Sequence, residues 1–150
     1  MHTNIKAIIE ENKKRPAVIY APFNPITGLN SVGERKEITI KDFPITTQYL
    51  PVEMLKVPLV KKLIKAGSIK ALLKQIGSEK EDFESDKLKL INQFIRIRCL
   101  YDFPFWASFY VKIKNKGGGE DVLFRLTRPQ RRFVERLENL RKQKKPIRIV

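Results

Sequence analysis

Few residues in this sequence are equipped for covalent or metal chemistry. The only histidine, His2, sits at the terminus, and the only cysteine, Cys99, lies in an apolar run with Ile95, Ile97 and Leu100. A reactive thiol wants a neighbouring base, so this setting predicts a buried, inert Cys99. One thiol and one terminal imidazole also exclude most zinc sites and any Cys–His or Ser–His pair within the chain. Gly117, Gly118 and Gly119 are consecutive. No Lys-Ser or Lys-Thr follows them and no helical pattern begins there, so they predict a turn and not a phosphate loop. What the chain does carry is cationic: 31 Lys and Arg against 16 Asp and Glu, a formal net charge of +15. Such an excess suits the recognition of anions, most often the phosphates of nucleic acid.

The charge is clustered, which favours a functional role over mere solubility. Residues 125–150 hold ten Lys and Arg but only two acids, Glu135 and Glu138. Residues 56–74 hold six lysines and no acid, while residues 78–86 reverse the sign with five acids and one lysine. The alternative is a set of solvated helix faces. Arg131, Arg132 and Arg136 in particular fit a solvated or DNA-facing helix side better than a catalytic finger, giving affinity without sequence preference.

The elements that must position these groups follow from periodicity and punctuation. Ile5, Ile8 and Ile9 predict a short helix over 5–13, ended by Pro16. An apolar strand over 17–20, a loop over 23–33 rich in Asn, Pro, Gly and Ser, and a strand over 35–40 predict a small hairpin stopped by Pro44. Pro51 is expected to open a helical stretch, Pro58 a second helix over 59–66 stopped by Gly67, and Ser68 to cap a third over 69–76 stopped by Gly77. Ser78 and Glu81 have capping-box spacing ahead of a longer helix, about 86–99, with Leu88, Ile91, Phe94, Ile95 and Arg98 along it. In the dense apolar stretch 100–113, Pro104 predicts a bend and the alternation over 109–113 a strand, returning over 122–126 after the glycine turn. Trp106, Phe103, Phe105 and Phe109 read as a core or docking cluster. A base-stacking platform fits less well, because the run looks too apolar to be exposed. Thr127 and Gln130 have capping-box spacing with Pro129 in the first turn of a last helix reaching about 143, its face formed by Phe133, Val134, Leu137 and Leu140. Residues 147–150 read as the start of a strand.

At 150 residues, 42% hydrophobic and 31% charged, the chain is too apolar for intrinsic disorder, and no apolar run approaches a membrane span of ~20 residues. The N-terminus lacks the apolar core and cleavage site of a signal peptide. An intracellular, cytoplasmic protein with no membrane association is expected.

The stretch from Asp102 to Val150, DFPFWASFYVKIKNKGGGEDVLFRLTRPQRRFVERLENLRKQKKPIRIV, resembles the N-terminal part of the ATPase domain of phage large terminase subunits. About fifty residues carry the resemblance, which extends weakly back to Leu50, Pro51, Val52, Glu53 and Met54. The resemblance implies that Gln130, with Arg128, Pro129 and Arg131 around it, belongs to a motif that contacts adenine. A glutamine amide offers a donor and an acceptor side by side, as adenine's edge requires. It also implies that residues 147–150 form the strand leading to a phosphate loop. The spacing itself supports another role for Gln130, the closing of a capping box with Thr127. Arg132, Arg136, Arg141, Lys142, Lys144 and Lys145 are the candidate contacts to DNA phosphates. ATP and magnesium are cofactors of the intact family protein, and none is expected for this chain alone. Duplex DNA is the implied partner, with the portal and the small terminase subunit as further ones, in the host cytoplasm of a phage-encoded protein.

The sequence departs from that family in having no GxxxxGK[ST], no acidic residue closing an apolar strand, and no carboxylate cluster for a nuclease metal pair. The parts needed for ATP hydrolysis are therefore missing and the chain alone is expected to be inactive. Its stop in mid-strand reads as a clipping before the phosphate loop. The expected fold is α+β: an irregular and hairpin segment over 1–50, a helical segment over 51–100, and over 101–150 the hairpin, helix and strand of the front edge of an α/β P-loop ATPase domain. Two other functions fit the composition, a stand-alone basic nucleic-acid-binding module and a module docking a packaging partner. The second requires an exposed apolar patch around Phe103 to Trp106.

Overall fold

Among the described residues, strand pairing begins after a loop that folds back on itself. The structure, a computed structural model, describes residues 22–77 and 81–149. Strands β1 (Arg35–Thr39) and β2 (Thr47–Pro51) form an antiparallel hairpin in which Ile38 faces Gln48 and Lys36 faces Leu50. A 3-10 turn (Met54–Lys56) leads to α1 (Pro58–Ala66), α2 (Ile69–Gln75), α3 (Phe83–Tyr101) and α4 (Phe103–Tyr110). A second hairpin, β3 (Lys112–Ile113) and β4 (Val122–Leu123), and a final helix α5 (Arg128–Lys142) complete the described elements. The chain is thus α+β, and no helix among the described residues is long and apolar enough to cross a membrane.

The helix boundaries follow from local chemistry. Pro58 lies in the first turn of α1, and Gly67 closes it in the left-handed region at φ 73°. The Ser68 hydroxyl accepts from the Ala71 N–H at 3.0 Å. Asp42, from the turn after β1, caps the same helix at long range by accepting from the N–H groups of Ile69 (2.6 Å) and Lys70 (2.8 Å). In α3 the buried positions are Leu90, Phe94 and Arg98, four residues apart. One apolar cluster joins the hairpin (Ile38, Ile40, Leu50) to Met54, to Val60 and Leu63 of α1, to α2, and to Phe94. It spans the boundary expected at residue 50.

Several expectations are corrected. Residues 35–39 pair with 47–51. Pro51 ends a strand and does not open a helix. Gln48 hid that strand, because it places an amide at an inward position where alternation calls for an apolar side chain. The expected strand over 109–113 is helix as far as Tyr110, leaving only Lys112 and Ile113 in β3. Asp102 accepts from the Phe105 N–H at 3.3 Å and Pro104 sits in the first turn of α4. The helix so started overrides the β preference of an aromatic run, and Pro104 starts α4 where a bend was expected. Residues 147–149 form no strand and pair with neither described sheet. The elements expected over 5–13 and 17–20, and the Ser78–Glu81 box, fall wholly or partly outside the described residues.

Asp102 is the hub of a buried charge network. Its carboxylate accepts from Arg35 at 2.8 and 2.9 Å and from Arg98 Nε at 3.1 Å. Arg98 also donates to Gln48 Oε1 at 2.9 Å, and its guanidinium lies 4.0 Å from the Phe105 ring centroid. Burial pushes the Arg98 guanidinium pKa down and the Asp102 charge opposes that shift. Removing one partner from such a set strands the other charges away from water. Asp102→Ala is expected to lower unfolding stability by about 3–5 kcal/mol, measured by urea denaturation. A loss below 1 kcal/mol would contradict the assigned role.

Candidate anion-binding interface

Helix α5 lies on the body with only part of its length against it. Val134, Leu137 and Leu140 are half-buried, none of its residues is fully buried, and Phe133 is exposed, unlike the apolar face drawn from spacing. Its start is fixed by the Thr127 N–H and hydroxyl, which donate to Gln130 Oε1 at 2.8 and 3.1 Å. The capping role is therefore occupied, and it uses the acceptor half of the Gln130 amide.

The arginines ahead of and within the first turns of α5 converge on the loop before β1. Phe23, buried, has the Arg131 guanidinium 4.2 Å and that of Arg125 5.5 Å from its ring centroid. Arg125 also donates to the Phe23 carbonyl. Beside them a small cleft of about 70 Å³ is lined by Asn30, Ser31, Val32, Arg128, Arg131, Arg132 and Glu135. Within this group burial lowers the Arg131 pKa, and the charges of Arg128 and Arg125 lower it further. Among the described lining residues, three guanidinium groups against one carboxylate make the cleft cationic.

Of the residues expected at a nucleotide, Arg128 and Arg131 share this cleft, whereas Gln130 and Pro129 do not line it. Of the expected phosphate contacts, Arg132 lines the cleft and Arg136 is exposed one turn on. Arg141 is engaged elsewhere, 2.7 Å from Glu138 and 3.1 Å from Glu53, and these bonds push its pKa up. That pairing fastens the end of α5 to the segment after β2. Lys142, Lys144 and Lys145 are exposed, as are Lys61, Lys62, Lys65, Lys70 and Lys74 on α1 and α2.

Sequence reasoning missed Phe23, Asn30 and Ser31, which lie in a stretch read only as a loop. The available signal was its length, since long ordered loops tend to carry function. The aromatic cluster splits. Phe105 is buried, but Phe103, Trp106 and Phe109 are exposed to about 40%, contrary to the expectation from apolarity. Helix α4 is only eight residues long and buries one face, so the opposite aromatics must face outward. Phe103 and Trp106, with Leu100 and Tyr101, border a wider cleft of about 500 Å³ that includes Cys99, Glu138 and Arg141. Cys99 is half-buried, and burial raises its thiol pKa despite the Arg98 charge. Among the described residues no group of three or more His, Cys, Asp or Glu could hold a metal ion. Comparison with protein-family models, curated proteins and solved structures gives no match.

Two outcomes follow. Gln130→Ala is expected to fray the first turn of α5 and to lower stability by roughly 0.5–1 kcal/mol, seen as faster amide exchange over residues 128–131 with the core unchanged. Because its pKa is raised, Cys99 is expected to react with a disulfide reagent about tenfold more slowly in the folded chain than in urea at pH 8, with the folded rate still climbing above that pH. Equal folded and unfolded rates would refute the burial assigned to it.

Proposed function

We propose that the chain is the N-terminal segment of the large subunit of a phage DNA-packaging motor, a basic lead-in that carries an adenine-contacting turn ahead of an ATPase core. The observation that carries this reading is the sequence run Asp102 to Val150, whose described residues build a short helix, a hairpin, a basic helix with Gln130 in its first turn, and a basic tail without regular secondary structure. Supporting it, Arg128 and Arg131 gather beside that opening turn. The Gln130 carbonyl is committed to the cap, so its amide nitrogen is the group that would meet an adenine acceptor. Arg132, Arg136, Lys142, Lys144 and Lys145 would meet duplex phosphates, giving affinity without sequence preference. Among the described residues no group of three or more His, Cys, Asp or Glu could hold a metal ion, and no step through a metal is assigned to this chain.

The test is the reading frame beyond Val150. A glycine-rich loop ending in Lys-Ser, Lys-Thr or Ser-Thr within about ten residues is expected, and a stop codon with no such loop overturns the proposal. DNA binding by the 150-residue chain is expected to weaken with salt, with a log–log slope near −4 to −5 for about five phosphate contacts. Arg136→Gln should reduce that slope by about 1.

A second reading, a module that docks a packaging partner, is favoured by one observation: the exposed face of Leu100, Tyr101, Phe103 and Trp106. It predicts DNA binding too weak to give a measurable salt slope.

A further inference from the structure

Ser31 Oγ and Arg131 Nε are both buried, and neither has a hydrogen-bond partner among the described residues. Both residues line the cleft between the loop before β1 and α5. A buried donor left unmade costs about 1–3 kcal/mol, so each of these two atoms calls for a partner that the bare protein does not supply. We infer that this cleft is a binding site for a single phosphate-class oxyanion. Ser31 and Arg131 supply its hydrogen bonds, and Arg128 and Arg132 supply further positive charge.

Size, charge and rigidity agree. A cleft of about 70 Å³ holds a few waters. That is the scale of one phosphate group and far below the ~300 Å³ at which pockets for whole organic ligands begin. Among the described lining residues, three guanidinium groups face one carboxylate, that of Glu135, an excess of positive charge. The proximity of Arg128 and Arg125 that depresses the Arg131 pKa is a repulsion that a bound anion relieves. Arg131 is held against the Phe23 ring. Its planar fork is therefore oriented before any ligand arrives, and little side-chain entropy remains to be lost on binding. Ser31 is anchored through its neighbours: the Val32 carbonyl accepts from Arg35 Nε at 2.8 Å, and the Asn30 amide donates to the Pro22 carbonyl at 2.7 Å.

The site goes beyond the packaging proposal and does not depend on it, because Gln130 does not line the cleft. The shared chemistry is a phosphate group. Its source is either a nucleotide or the backbone of a nucleic acid, and the test separates the two.

The test titrates inorganic phosphate into the 15N-labelled full chain at constant ionic strength, observing the Arg131 Nε–H and the Ser31 amide. Both resonances are expected to shift and saturate together. Ser31→Ala, which keeps the charge and the Phe23 stack, is expected to weaken binding about tenfold, the size of one hydrogen bond to a charged group. Arg131→Gln should weaken it at least as much. Glu135→Gln should tighten it several-fold. Arg136→Gln, the same charge change on an exposed part of α5, should alter it less than about twofold. ATP moving the same resonances at lower concentration than phosphate, with a short DNA duplex leaving them unmoved, identifies a nucleotide as the source. The reverse identifies the nucleic-acid backbone, and either result upholds the site. The inference is overturned if Ser31→Ala and Arg131→Gln both titrate like the parent chain, or if Arg136→Gln costs as much as Arg131→Gln. Those results would mean an unstructured ion atmosphere. The packaging proposal would survive them, since its test lies in the reading frame.

Discussion

Two arginines share one carboxylate at the centre of this molecule. Asp102 is only 1% exposed, as is Arg98, and Arg35 and Arg98 approach the carboxylate from different elements. Desolvating charges in this way is costly, and it is tolerated only when each is paired and its remaining donors are satisfied. The need for satisfaction reaches outward from the hub. Arg98 takes Gln48 on β2 and the Pro25 carbonyl, at 3.4 Å, as further acceptors. Arg35 takes the carbonyls of Val32 and Tyr49. Asp102 at the same time starts α4. One carboxylate therefore sets β1 and β2 against α3, turns the chain from α3 into α4, and ties down both ends of the loop over residues 25–32.

That loop is the link between the network and the cationic cleft. It has no regular secondary structure beyond a bridge between Asn24 and Leu29, yet its backbone is held at several points, including the Tyr49 N–H donating to the Thr27 carbonyl at 2.7 Å. Gly28 is required where the loop passes β2: it adopts φ 84°, and a Cβ there would collide with the Tyr49 carbonyl. With the loop held, Phe23 and Ser31 become fixed surfaces, and Phe23 in turn fixes Arg131. The first half of α5 is thus located by an aromatic ring under a guanidinium, and its far end by the Arg141 pair to Glu53. This explains how a helix with no fully buried residue can hold a stable position.

Legibility in the sequence tracked how local the determining chemistry was. Helices α1, α2 and α5 were readable because their caps and stops, Pro58, Gly67, Ser68 and Thr127 with Gln130, lie within a few residues of the turns they control, and α3 was readable from apolar positions three and four residues apart. The β3–β4 turn was readable from three consecutive glycines. Strand β2 and helix α4 were not, and the cause is the same in both. Gln48 is inward because Arg98, fifty positions away, needs an acceptor, and Phe109 is helical because Asp102 serves as cap and counter-ion at once. Of the candidate site, Arg128, Arg131 and Arg132 were legible from clustering. Ser31 and Phe23 were not, since only tertiary packing brings a loop from the other end of the chain beside α5.

The same geometry changes what the net charge of +15 means. Composition counts every cation equally, but several are already committed here. Arg35 and Arg98 are buried against Asp102, Arg141 is ion-paired, and Arg125 and Arg131 are held at Phe23. The exposed lysines of α1 and α2 and the end of α5 remain to act as a diffuse field, which attracts any polyanion and is screened by salt. Arg131 belongs to a different class. Its orientation is set by packing, its environment is partly desolvated, and its interaction with an anion is therefore less screened and geometrically selective. Long-range attraction and local recognition are thus assigned to different residues of the same basic chain. Under the proposed oxyanion site, a partner drawn in by the first group would be discriminated where it presents a phosphate to the second.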